Sequence, residues 1–193
     1  ELYNKTHRRN MIKNRIASFI MRRKSKMQAI VYTSHTGSTA QYAYLLGREL
    51  GITVYNSMRK LEKDTEIIYL GWIMAGKVQG YSSIKNKYKV CAVCAVGMGQ
   101  TGTQTKEVRT KNKIKEDIPL FTLQGNFDVK RLHGIYRMMM NIMVKTVGKA
   151  LEKKENKTKE EEDMIDMMIH GGECVDQKNL HDVIDWYRKG GCV

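Results

Sequence analysis

Between Gln28 and Thr39 the chain reads Gln-Ala-Ile-Val-Tyr-Thr-Ser-His-Thr-Gly-Ser-Thr, a short apolar run that ends in hydroxyls grouped around one glycine. A helical pattern over residues 40–50 follows at once, with Ala43, Leu46 and Leu50 on one face and Gly51 as its stop. No other stretch constrains the fold as strongly. A buried parallel strand that delivers a polar loop to a helix N-terminus is how α/β proteins build a cradle for an anion. Loop amides and the helix dipole favour negative charge there. The hydroxyls of Ser34, Thr36, Ser38 and Thr39 add donors. The plainer alternative is a polar turn that caps the helix through Ser38 or Thr39. No lysine follows Gly37, so the loop is not the nucleoside-triphosphate motif G-x-x-x-x-G-K-[ST].

Strand and helix patterns alternate after Met27, which points to an α/β fold with a doubly wound parallel sheet. Strand patterns cover residues 29–33, 52–55, 66–70, 88–96 and 119–123. Helical patterns cover residues 40–50, 130–151, 161–169 and 179–189, with a charge-rich break over 153–163. The long pattern over 130–151 places its methionines, Met138 to Met143 among them, on an apolar side expected to face the core. No internal repeat or second domain is visible. The expected division is a basic extension over residues 1–26 and one α/β domain over 27–193.

Charge separates these two parts. The chain carries a formal +14. Residues 1–26 hold nine Lys/Arg and one Glu, a net of +8, which leaves +6 for the rest. Ile12, Ile16, Phe19 and Ile20 form a short apolar stripe among Arg15, Arg22, Arg23 and Lys24. That is a basic amphipathic pattern suited to an anionic surface. Residues 1–26 read either as an anchor making peripheral membrane contact or as a tail foreign to the native start. No apolar run approaches the ~20 residues needed to span a bilayer, and no secretory signal is visible. Four cysteines in 193 residues do not read as a disulfide framework, which favours a reducing, cytoplasmic setting.

The hexapeptide Ser34-His35-Thr36-Gly37-Ser38-Thr39 resembles the FMN-phosphate loop of the flavodoxin family, whose pattern is [Ser/Thr]-x-Thr-Gly-x-Thr. The resemblance implies a five-stranded parallel sheet in the order 2-1-3-4-5, with FMN at the switch point between the first and third strands. It also implies that a loop after the third strand lies along the isoalloxazine ring. Here that segment is Trp72, Ile73, Met74, Ala75 and Gly76, with Trp72 as the stacking ring and the glycine-containing backbone as the partner of N5. Packing of Trp72 against the protein surface is the competing reading. A loop over Gly97, Met98, Gly99, Gln100, Thr101 and Gly102 would approach the other side of the flavin. It happens to spell G-x-G-x-x-G, but that fingerprint belongs after the first strand of a βαβ unit, with an acidic residue ending the next strand. Here the next strand ends in Thr122-Leu123-Gln124.

Further on, Leu123-Gln124-Gly125-Asn126-Phe127-Asp128 and the run Tyr136-Arg137-Met138-Met139-Met140 look like the C-terminal part of a flavodoxin subgroup that includes the menaquinone-dependent protoporphyrinogen oxidases. The chain departs from those oxidases after the third strand. Typical flavodoxins are acidic, and this chain is not. Cys91 and Cys94 spell C-x-x-C inside a strand, where residues three apart face opposite ways, so they read as small buried side chains and not as a redox or zinc pair. No metal site is expected.

These features lead to an expectation of an FMN-binding redox protein. It would transfer electrons to a redox partner protein, or oxidise a small-molecule reductant or pass electrons to a quinone, with no role for nucleic acid. A protoporphyrinogen oxidase-like dehydrogenase and a non-redox scaffold are the alternatives. The chemistry would be the flavin's, and the protein's part is to bind and orient it. No separate catalytic acid, base or nucleophile is evident.

Overall fold

The computed structural model describes residues 27–126 and 171–191, with single positions between them. Six strands run β1 (Met27–Thr33), β2 (Val54–Asn56), β3 (Glu66–Met74), β4 (Lys77–Val78), β5 (Lys89–Gly97) and β6 (Leu120–Gln124). Five of them form a parallel sheet in the order β2-β1-β3-β5-β6. The two-residue β4 pairs antiparallel with the end of β3. With β4 set aside, this is the flavodoxin-like 2-1-3-4-5 order that the sequence implies.

Helices cover both faces, as strands apolar on both sides require. The first helix, α1 (Ser38–Leu50), and the last, α4 (His181–Arg188), lie on one face. A 3-10 turn over Gln177–Leu180 leads directly into α4. There Tyr42, Ala43 and Leu46 meet Ile30, Ile68, Leu70 and Cys94 of the sheet and Leu180 and Val183 of the C-terminal elements. The opposite face is covered by the short α2 (Tyr81–Ile84) and by α3 (Thr105–Asn112). There Tyr81, Ile84 and Val108 pack on Val31, Ile67, Tyr69 and Val93. Each large side chain that is fully buried in these layers contributes about 1.5–3 kcal/mol.

Several local expectations change. The segment after the third strand is not a free loop: Trp72, Ile73 and Met74 continue β3, held by pairing of Ile73 with Val78 and Met74 with Lys77. Ala75 and Gly76 form the two-residue turn, both with positive φ (52° and 77°), as a type I′ hairpin requires. The helix α3 carries a single buried apolar residue, Val108, and therefore shows no 3.6-residue apolar period in the sequence. The register of β3 against β5 passes from Ile67–Val90 to Ile68–Ala92, so Cys91 is the extra residue of a β-bulge. Cys91 is also disulfide-bonded, contrary to the reading of the cysteines as plain buried side chains. Cys94 fits that reading: it is a free thiol with no exposure, and burial pushes its pKa up to about 12. The helical patterns over 130–151 and 161–169 fall largely outside the described residues. Of the methionine-rich side expected to be core, Met138 is 56% exposed and Ile142 beside it 55%. No helix among the described residues is long and apolar enough to cross a membrane. The extension over 1–26 lies outside the described residues.

Candidate anion and cofactor site

β1 and β3 are neighbours whose chains leave in opposite directions across the sheet, and the loop over residues 34–37 emerges from the carboxyl end of β1 at that switch point. Gly37 is the N-cap of α1, with φ 107° and ψ −27°. A residue with a Cβ adopts that conformation only under strain, so glycine permits the turn from strand to helix. No side chain caps the helix, and its first turn contains no acidic residue. Gly37 O accepts from Gln41 N at 3.0 Å, the first regular helical bond. The amides of Ser38, Thr39 and Ala40 therefore remain as the orphan donors of the helix start.

The hydroxyls divide into two groups. Ser34 Oγ accepts from Gly37 N at 3.2 Å and shapes the turn. Ser38 is buried, and its Oγ accepts from Asn126 N at 3.1 Å. Thr36 and Thr39 spend no hydroxyl hydrogen bond within the described part of the protein, although Thr39 is only 1% exposed. A capping turn would have used these groups on the helix itself. Here the orphan amides and the unspent hydroxyls are gathered in one loop and helix start whose first turn has no acidic residue, which suits a dianionic group.

The ground beneath the loop is a chain of hydroxyls. Tyr69, fully buried on β3, has its hydroxyl 2.6 Å from Gln79 O and 2.7 Å from Thr33 Oγ1. Thr33 Oγ1 lies 2.9 Å from Ser57 Oγ. A carbonyl can only accept, so Tyr69 donates to Gln79 O and Thr33 donates to Tyr69. Burial pushes the Tyr69 hydroxyl up to about 12, and the hydrogen bond from Thr33 offsets part of that rise. Thr33, the last residue of β1, is thereby fixed immediately before the loop.

The remaining residues expected at the site fall in three places. His35 and Trp72 come together as a stacked pair, ring centroids 5.1 Å apart and planes at 19°. Ala75 and Gly76 are pinned: Ala75 O accepts from Lys111 Nζ at 3.3 Å, and Gly76 O from Asn112 Nδ2 at 2.9 Å. The Asn112 side chain also accepts from Val78 N at 2.8 Å, so α3 grips the whole hairpin. In the glycine-rich loop, Thr101 Oγ1 accepts from Gln124 N at 3.0 Å and Gly102 N donates to Thr122 O at 3.0 Å. Gly97 O accepts from Gly125 N at 2.7 Å. Most of that loop is thus stitched to β6, and Met98, Gly99 and Gln100 form the part whose amides are not so used. Among the described residues no group of three or more His, Cys, Asp or Glu is placed to hold a metal ion.

The role of one residue escaped the sequence reading. Asn126 stands at the end of β6, where it meets Ser38 through its backbone and Cys174 and Val175 through its side chain. In the sequence it appears only within the Leu123–Asp128 run that carries the subgroup resemblance and as a turn-forming Gly125-Asn126 pair, neither of which assigns it to the site. Its partners are 88 residues before it and 48 and 49 residues after it. Comparison of the chain with protein-family models, with curated proteins and with solved structures finds no match.

Proposed function

We propose that this chain binds FMN, with the phosphate at residues 34–39, and serves as a redox protein in electron transfer or flavin-dependent oxidation. The observation that carries the reading is the uncapped start of α1, with the orphan amides of Ser38, Thr39 and Ala40 and the unspent hydroxyls of Thr36 and Thr39. FMN when bound supplies the electron chemistry. The chain's own residues supply the rest. Thr36 and Thr39 donate to phosphate oxygens and the helix dipole favours their charge. The His35–Trp72 pair offers a flat aromatic wall beside the loop. The Met98–Gln100 amides, at the carboxyl end of β5, are not used in the bonds that tie the rest of their loop to β6. The closed β3–β4 turn fixes the wall by holding the end of β3 in the sheet.

The test is direct. The chain is purified, its chromophore released and identified by mass, and the stripped protein titrated with FMN. Bound FMN in stoichiometric amount supports the reading. A colourless preparation that takes up no added FMN overturns it.

A further inference from the structure

The two loops of the proposed site are joined by consecutive amides of one dipeptide. Gly125 N donates to Gly97 O at 2.7 Å, and Asn126 N donates to Ser38 Oγ at 3.1 Å. A Cβ on Gly125 would lie 2.9 Å from Val96 Cγ1 and 3.2 Å from Ser38 Cβ, so only glycine lets β6 end this close to the start of α1. Asn126 is held in turn by its side chain. Its Oδ1 accepts from Cys174 N at 2.7 Å and from Val175 N at 2.9 Å, which assigns the amide orientation. The segment that supplies those two amides is itself anchored. Asn179 donates to Cys174 O at 3.0 Å and to the Tyr42 hydroxyl at 2.7 Å, and that hydroxyl donates its own hydrogen to Gln124 O at 2.5 Å. Asn126 is therefore fixed on one side to the returning chain and on the other to Ser38.

The consequence lies in the proton of Ser38. A serine hydroxyl has one hydrogen to give. Ser38 Oγ already accepts from Asn126 N and is 5% exposed, and its hydrogen is not given to any described residue. The Asn126 N–H occupies one lone pair of Ser38 Oγ and leaves the O–H to be given to an acceptor bound at the helix start. We propose that Asn126 is a positioning residue that aims the Ser38 hydroxyl at the ligand phosphate, and so lets the chain prefer FMN to the same flavin without its phosphate. The inference rests on the FMN reading above, and it adds to the loop's own phosphate donors one that depends on a residue outside the loop motif.

The experiment titrates the full-length stripped protein with FMN and, separately, with riboflavin, by quenching of flavin fluorescence. Wild type is compared with Asn126→Ala, Ser38→Ala and the double variant. Loss of one charge-assisted donor weakens FMN about tenfold or more. The expected result is that loss in both single variants, unchanged riboflavin binding, and a double variant no weaker than either single one. Equal losses for FMN and riboflavin in Asn126→Ala would mark a merely structural role and overturn the proposal. So would an FMN-to-riboflavin ratio equal to wild type, or losses that multiply in the double variant. Should Asn126→Ala fail to fold, Asn126→Ser keeps a polar residue but withdraws the acceptor from the two amides. It should lose FMN selectively, and an unaltered ratio would overturn the proposal. If wild type binds FMN no better than riboflavin, the phosphate reading itself fails, a result distinct from failure of the Asn126 variants alone.

Discussion

Residues 34–39 and residues 97–102 look alike in the sequence. Both follow a buried strand, both combine glycine with hydroxyl side chains, and both match a phosphate-binding pattern. The structure separates them by where their donors go. The second loop spends Thr101 on Gln124 N, Gly102 N on Thr122 O and Thr103 O on the Thr122 hydroxyl, so β6 takes up most of its polar groups. The first loop is held from below through Thr33 and from the side through Ser38, while Thr36, Thr39 and three amides remain unspent among the described residues. Glycine and threonine content locates a turn. The disposition of each N–H and O–H decides whether the turn is an architectural joint or a receptor.

The contrast breaks most easily at the two threonines. Thr36→Val together with Thr39→Val removes both hydroxyls and keeps the side-chain shape. Two charge-assisted hydrogen bonds, about 1.5–3 kcal/mol each, should vanish from FMN binding. FMN affinity should then fall by about a hundredfold or more, while the urea midpoint of the flavin-free protein moves little. Isothermal titration and urea melts measure both. Full FMN affinity in this variant would make the first loop a joint like the second.

Next in size is the scaffold that both loops share. Cys91 is disulfide-bonded at the bulge of β5, far along the strand from Gly97. Its removal by Cys91→Ser, or by reductant, should cost about 2–4 kcal/mol of global stability. The ratio of FMN to riboflavin affinity should stay as in wild type. An identical urea midpoint for oxidised and reduced protein would show that the bond carries no stability.

The reciprocal change is smaller. Thr122 is 6% exposed and donates to Thr103 O at 2.7 Å. Thr122→Val should lower stability by about 1 kcal/mol, the net worth of one such bond, with FMN affinity unchanged. The expected signs are opposite in the two loops: affinity without stability at 36 and 39, stability without affinity at 122. A loss of FMN affinity at 122 would blur the distinction.

What the sequence made legible follows its periods. The apolar run of β1, the hydroxyl loop and the face of α1 are local patterns, and all three stand in the structure with ends shifted by a residue or two. The end of β3 was obscured because Gly71-Trp72 resembles a loop entry, and because the partner that extends the strand, Lys77–Val78, is too short to announce itself. Ala75 adds to this, since alanine at φ 52° is a poor herald of a type I′ turn. The bulge at Cys91 and the role of Asn126 depend on register and on partners far along the chain, which no local pattern encodes.

The smallest expected effect concerns what holds the open loop from below. Tyr69 has a hydroxyl pKa raised to about 12 from an ordinary 10.0, chiefly by burial. A raised pKa means that the folded state keeps the proton after the unfolded chain has begun to lose it. The stability tied to that proton is fully present below pH ~10 and is lost as pH rises toward ~12. At pH 10 an unfolded tyrosine is half ionised and Tyr69 is not, so the linked loss is about RT ln 2, ~0.4 kcal/mol. Tyr69→Phe removes this titration together with the bond to Gln79 O. Its stability at neutral pH should be lower than wild type, and its decline between pH 9 and 11 should be shallower by that one group's share. Thr122→Val leaves every tyrosine in place and should retain the wild-type alkaline slope. Urea midpoints across that pH range decide the matter. A Tyr69→Phe slope identical to wild type would mean that burial and the bond to Gln79 O do not hold the proton on Tyr69, and the floor of the open loop would then be fixed by something other than this chain of hydroxyls.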